Sequence, residues 1–162
     1  MTFVHPSGIS DIVVRLSAAT AIGALVGLDR EVRGKPAGLR THALVALGAA
    51  LVTIVTIGIN DPNPVDANAV SRAIQGIIAG VGFLGAGSIL KSVGANETEA
   101  VQGLTTAATI WFVASLGIGC GVGQWEAATV AVIIALLVLM LGGPVEGFVH
   151  RWKKRTERHT GP

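Results

Sequence analysis

The stretch GVGFLGAG, Gly80 to Gly87, decides how the whole chain is read. Gly80, Gly82 and Gly85 complete a G-x-G-x-x-G, and Glu97 and Glu99 follow at nearly the distance where a dinucleotide-binding fold places its ribose-binding acid. That fingerprint carries meaning only between a strand and a helix within a βαβ unit. Here it lies inside AIQGIIAGVGFLGAGSIL (73–90), one apolar stretch with other membrane-length stretches on both sides. No alternation of strand and helix patterns surrounds it. The glycines are therefore read as helix-packing residues rather than a phosphate cradle.

Composition supports this reading. Of 162 residues, 51% are hydrophobic and only 14% are charged, whereas soluble domains carry about a quarter charged residues. The charges crowd into residues 29–40, 91–99 and 146–158, leaving long charge-free runs between them. Such a chain is expected to be an integral membrane protein. The formal charge of +2 does not point to nucleic acid, because the basic residues sit beside apolar spans and act as topology signals. Cys120 is the single cysteine, which excludes an internal disulfide and a C-x-x-C site. No Lys/Arg-rich leader precedes the first apolar stretch, so a cleaved signal peptide is not expected.

The predicted fold is all-α, a polytopic bundle of about five transmembrane helices near residues 12–28, 39–59, 70–90, 104–120 and 125–142. Each is close to the roughly 20 residues that cross about 30 Å of hydrocarbon. Helices are required because lipid offers the backbone no hydrogen-bond partners. Arg30, Arg33, Lys35 and Arg40 follow the first span, and Arg151, Lys153, Lys154, Arg155 and Arg158 follow the fifth, whereas NDPNPVDANA (60–69) and GVGQ (121–124) contain no basic residue. The amino terminus is then predicted outside and the carboxy terminus cytoplasmic. Trp125 and Trp152 suit an interfacial belt. Pro144 is expected to kink or end the membrane part. Residues 1–142 are thus expected to be the membrane domain, and 143–162 a short basic tail with no soluble carboxy-terminal domain.

Lipid gives helices little hydrophobic reason to associate, so close approach through small residues supplies the packing. Gly76 and Gly80 make a G-x-x-x-G within the row Arg72, Gly76, Gly80, Leu84, and Ala19, Gly23 and Gly27 form a second row. Gly117, Gly119, Gly121 and Gly123 crowd the outer end of the fourth span. Alternatively, the dense run Gly80–Gly87 breaks its helix, as at transporter sites.

Ionisable groups are costly in the bilayer. Arg15 and Arg72 lie within about a turn of the outer ends of their helices. They either snorkel or face the interior with Asp11, Asp61 or Asp66 as partners. Asp29, Arg30 and Glu31 close the first span, and Arg40, Thr41 and His42 open the second. These either pair as surface ions or form an inner-face cluster in which Asp29 and Glu31 offer oxygen ligands to Mg²⁺. His42 alone is read as an interfacial hydrogen-bonding residue. Gln102, Thr105, Thr106 and Thr109 form a polar row that either packs against its own carbonyls or lines a cavity with Ser88 and Gln75. No nucleophile–base pair or metal-ligand spacing appears, so no enzyme is expected.

LVGLDREVRGKPAGLRTHALVALGAAL (25–51), GVGFLGAGSIL (80–90) and VQGLTTAATIWFVASLGIGCG (101–121) together resemble the three signature blocks of the MgtC/SapB family of bacterial inner-membrane proteins. The likeness covers most of residues 12–142 in order. The acid after GL is more often Glu in that family than Asp, as at Asp29. The resemblance implies a five-helix, multi-pass protein of the bacterial inner membrane, linked to growth at low magnesium and, in some pathogens, to virulence through survival within macrophages. Some members add a soluble carboxy-terminal domain. Both Mg²⁺ transport and regulation of other membrane proteins, including the F-type ATP synthase, are attached to the family. Its pattern singles out Asp29, Arg30, Glu31, Arg40, Thr41, Gly82, Gly85, Gly87, Gly103, Thr105 and Thr106.

Two functions follow as expectations. One is a regulatory protein acting through helix contacts, with itself as a homodimer or other homo-oligomer, or with a larger membrane complex. The other is a transporter or channel for magnesium or another small ion.

Overall fold

The computed structural model describes residues 8–59, 66–93 and 100–157. They form five helices: α1 (Ile9–Val32), α2 (Leu39–Ile59), α3 (Ala67–Val93), α4 (Ala100–Val122) and α5 (Trp125–Glu157). All five are long and apolar enough to cross a membrane. The chain is a multi-pass membrane protein, as the sequence predicts. α1, α3, α4 and α5 begin or end a few residues beyond their apolar runs, because interfacial polar residues continue the helix after the hydrocarbon stops, whereas α2 matches its run of 39–59.

Two turns are set by glycines in the left-handed region. Gly34 (φ +63°) ends α1, with Gly34 N–H bonded to the Glu31 carbonyl (3.0 Å) and Lys35 N–H to the Arg30 carbonyl (2.9 Å). Gly123 (φ +79°) repeats the device after α4, where Gly123 N–H meets the Cys120 carbonyl (3.1 Å) and Gln124 N–H the Gly119 carbonyl (2.9 Å). A residue without a Cβ takes this conformation at no steric cost, and the paired bonds satisfy the last helix carbonyls.

Helix α2 lies between α1 and α4. A Cβ added at Gly23 of α1 would stand 2.5 Å from the His42 carbonyl oxygen and 2.8 Å from Ala46 Cβ. One at Gly27 would stand 2.7 Å from Leu39 Cα. On the other flank, a Cβ at Gly117 of α4 would run into the Ala46 carbonyl, and one at Gly121 would stand 2.7 Å from Thr53 Cβ. These are approaches to backbone or to a Cβ fixed on it, which only glycine permits. Ala19, Val26, Ala46, Ala50, Val113, Leu116 and Cys120 fill the seam. α3 packs on α4 through Val81, Ile110 and Ala114, and α5 leans on the bundle through Ala128 and Val132.

The glycines of α3 behave differently. α3 is one uninterrupted helix, so Gly80–Gly87 do not break it. A Cβ at Gly76, Gly80, Gly82 or Gly87 would meet nothing within 4 Å, and only Gly85 touches a neighbour, Ala107 of α4. The expectation that glycines bring helices together therefore holds within the chain at Gly23, Gly27, Gly117 and Gly121, and not for the Gly76–Gly80 row. Gly103 is buried.

The apolar span of α5, Trp125–Val145, gives out beside Pro144, while the helix itself continues to Glu157. Proline removes one backbone donor and its ring opposes the carbonyl four residues earlier. The Gly142–Gly143 pair puts no side chains on that turn, leaving the backbone room to adjust. The first part of the basic tail, 143–157, is thus helical and continuous with α5.

Candidate functional site

The end of the bundle that carries the α1–α2 turn gathers most of the buried polar groups. α1 turns Arg15, Ala19, Gly23, Val26, Gly27 and Arg30 toward the core, at the three- and four-residue steps of one helix face. Arg30 is the last of that row and is only 4% exposed. Its Nη2 donates to Thr106 Oγ1 of α4 at 2.8 Å. One turn along α4, the Thr109 hydroxyl donates to the Thr106 carbonyl (2.9 Å) and meets His42 Nε2 at 3.1 Å. His42, fully buried on α2, directs its other ring nitrogen, Nδ1, to the Gly38 carbonyl at 3.0 Å. The N–H of the same peptide unit, Leu39 N, donates to Glu31 Oε2 at 2.9 Å.

These bonds form a closed ring. It leaves α1 at Glu31, crosses the 38–39 peptide to His42 on α2, passes through Thr109 and Thr106 on α4, and returns to α1 at Arg30. An acid and a base adjacent in sequence thus terminate one hydrogen-bonded circuit through three helices. Buried polar groups with partners on separate elements specify how those elements sit, because sliding any one of them leaves a donor or acceptor unpaired. Two buried atoms at the ring's edge, Arg30 Nε and Asp29 Oδ2, have no hydrogen-bond partner.

The sequence-predicted residues divide around this ring. Arg30, Glu31, Thr106 and Thr109 belong to it. Asp29 pairs with Arg33 outside it (Oδ1 to Nε, 2.9 Å). Arg40 and Thr41 are exposed, as is Thr105. The side chain of Gln102 and residues Asp61, Glu97 and Glu99 lie outside the described residues. On α3, the Ser88 hydroxyl donates to the Gly85 carbonyl of its own helix (2.8 Å) and Gln75 donates to Ser71 (3.3 Å). The groove of about 360 Å³ between α3 and α4 is apolar, bounded by Val81, Gly85, Ile89, Ala107, Ala108 and Trp111.

Asp29 and Glu31 do not fit Mg²⁺. Two residues apart on a helix they point about 200° away from each other. One oxygen of each is already committed, to Arg33 and to Leu39 N–H. Among the described residues no group of three or more His, Cys, Asp or Glu converges.

At the opposite end Arg15 is buried rather than snorkelling, which settles that alternative for this residue. It is 1% exposed, its Nη2 lies 2.9 Å from Asp11 Oδ2, and its Nη1 donates to the Gly121 carbonyl at 2.8 Å. It thereby caps the carboxy-terminal end of α4, where cationic groups are favoured. Arg72 stays exposed.

Sequence reasoning reads His42 as an interfacial hydrogen-bonding residue; it is hydrogen-bonded through both ring nitrogens, but fully buried as a member of the ring. A signal was available: His42 follows Gly38 by four residues, and Thr106 and Thr109 lie three apart, so each set faces one side of its helix.

Residues 16–148 match the family described as the MgtC family. The chain is 46% identical to Protein SrpB of Synechococcus elongatus over 129 residues, covering 77% of this chain and 71% of SrpB. It is 42% identical to Protein MgtC of Salmonella typhimurium over 129 residues, 80% of this chain and 51% of that protein. Over 133 residues it is 38% identical to a protein of Escherichia coli named "Putative magnesium transporter YhiD", covering 80% of this chain and 60% of that one. The chain therefore spans about half the length of the Salmonella protein and less than two thirds of the Escherichia coli one. No solved structure is similar to it.

Proposed function

This chain belongs to the MgtC family, and from that premise we propose that it is a magnesium-linked regulatory protein of the bacterial inner membrane. It works by lateral helix contact, with a second copy of itself or with a larger membrane complex, and not as an enzyme. Its amino terminus lies outside and the Arg30–Arg40 turn faces the cytoplasm, as the distribution of Lys and Arg favours.

The observation that carries this reading is the outward face of α3. Arg72, Gln75, Gly76, Gly80, Phe83 and Gly87 are all exposed there, and Phe83 is 81% exposed. α5 exposes Val130, Ile133, Ile134, Leu137, Val138 and Leu141 instead. Bulky aliphatic side chains solvate well in lipid, whereas a face of glycines with an arginine and an amide loses little to lipid and gains much from another helix. Introducing leucine at Gly76 or Gly80 should leave the fold intact, since nothing stands within 4 Å of either position. Self-association, read by energy transfer between labelled copies in bilayers, and co-purification of membrane partners should both fall at least tenfold. Unchanged association in both variants would remove the proposal.

A transport function is the second reading, supported by the name of the Escherichia coli relative. It draws little from the site, where Thr106 and Thr109 are buried and engaged within the ring. Purified protein in liposomes is expected to pass Mg²⁺ no faster than empty controls. Flux that Asp29→Asn or Glu31→Gln impairs would reverse the order of the two readings.

A further inference from the structure

We propose that His42 is a proton-binding site within the bundle, and that its occupancy decides whether the ring across α1, α2 and α4 is closed. This inference uses none of the α3 residues above and stands apart from the regulatory reading.

The argument is a count of hydrogens. The Gly38 carbonyl can only accept, so the 3.0 Å contact requires a hydrogen on His42 Nδ1. The Thr109 hydroxyl has one hydrogen and two claimants, the Thr106 carbonyl at 2.9 Å and His42 Nε2 at 3.1 Å. If that hydrogen lies on the Thr106 carbonyl, Thr109 can only accept from Nε2. Nε2 must then also carry a hydrogen, and the ring is an imidazolium. If the hydroxyl turns toward Nε2, the imidazole is neutral and the Thr109–Thr106 link opens. The two states differ by one proton exchanged with solvent and one hydroxyl rotation. Every contact in the ring is made at once only in the protonated state.

The charges around His42 act in both directions. From α1, Glu31 holds Leu39 N–H and so polarises the 38–39 peptide, which strengthens the Gly38 carbonyl as an acceptor for Nδ1–H. Also from α1, Arg30 reaches His42 through the two threonines and opposes a second positive charge, as burial does. Asp29 beside Arg30 offsets part of that, with Oδ1 on Arg33 and Oδ2 unbonded. On its own helix Arg40 is exposed. On α3 and α4, Arg72 and Cys120 lie at the far ends of those helices from it, and the side chain of Lys91 is outside the described residues. A buried imidazole bonded to a carbonyl and a hydroxyl, with a carboxylate one link beyond the first and a guanidinium beyond the second, is a site where proton binding is set by its hydrogen-bond partners.

The test is ¹⁵N NMR of histidine-labelled protein in lipid nanodiscs between about pH 5 and 9, with the His42 signal assigned by its loss in His42→Gln. His42 should pass from two protonated ring nitrogens to Nδ1–H with a bare Nε2 as pH rises. Thr109→Val deletes the acceptor for Nε2–H and should weaken proton binding about tenfold, moving the midpoint down by about one pH unit. Thr109→Ser should keep the wild-type midpoint, and Glu31→Gln should lower it. A merely structural role would alter stability without moving the midpoint. A His42 signature constant across this range, or identical midpoints in wild type and Thr109→Val, would overturn the proposal. Should the valine variant not fold, an unmoved midpoint in Glu31→Gln would overturn it equally.

Discussion

Gly117→Ala is expected to destabilise the bundle by about 3 kcal/mol, or to prevent folding, although it adds a single methyl group. The new Cβ would run into the Ala46 carbonyl, which is backbone in the middle of α2 and cannot turn aside as a side chain would. Relief requires α2 and α4 to separate. Because α2 also touches α1 at Ala46, separation on one flank strains the other, where Gly23 meets His42 and Ala46. Gly23→Ala should act in the same direction. Gly76→Ala, into open space, should change stability by less than about 1 kcal/mol. Helical signal followed through an SDS or thermal titration in detergent distinguishes them. Equal tolerance of alanine at positions 117 and 76 would mean that the α2–α4 contact is looser than described.

The second large effect is an asymmetry at the Arg15 clamp. Asp11→Ala should cost about 3 kcal/mol, because it leaves a guanidinium that is 1% exposed without its carboxylate. Arg15→Met should cost less, about 1–2 kcal/mol, since the charge leaves together with its need for a partner. The Asp11 carboxylate, with 24% of its side chain exposed, can then turn to water. The methionine still fills most of the volume between α1 and the α4–α5 turn. The same unfolding titration ranks the two variants. A larger loss for Arg15→Met would show that the bond to the Gly121 carbonyl, not the ion pair, dominates the clamp.

Much of this was legible in the residue order. The surroundings of the G-x-G-x-x-G at 80–85 exclude a nucleotide loop, and α3 is a continuous helix there. The spacing of Ala19, Gly23 and Gly27 predicts a packing row, and all three are buried, with Gly23 and Gly27 against α2. The Gly76–Gly80 pair predicts the same, yet it faces outward. The motif reports that a helix can be approached closely, which is a local property. It does not report by what, since two rows with the same spacing differ only in how their helices are rotated in the bundle. Arg15 was similarly ambiguous, because an arginine one turn from a helix end can reach either the headgroups or a carbonyl on another helix.

What the sequence by itself determined is the solvent and the elements. Five charge-poor runs of membrane length, with basic residues confined to alternate connections, can satisfy their backbones in lipid only as helices. Hydropathy and intrahelical bonding depend on residues close in the chain, so they are readable from order alone. The tertiary structure decided which small residues carry the contacts and that Arg30, Glu31, His42, Thr106 and Thr109 form one circuit. Residue 31 meets residue 39, and residue 42 meets residue 109, only after three helices have set their rotation and depth. Those settings come from packing distributed over the whole seam, which no single stretch of the chain encodes.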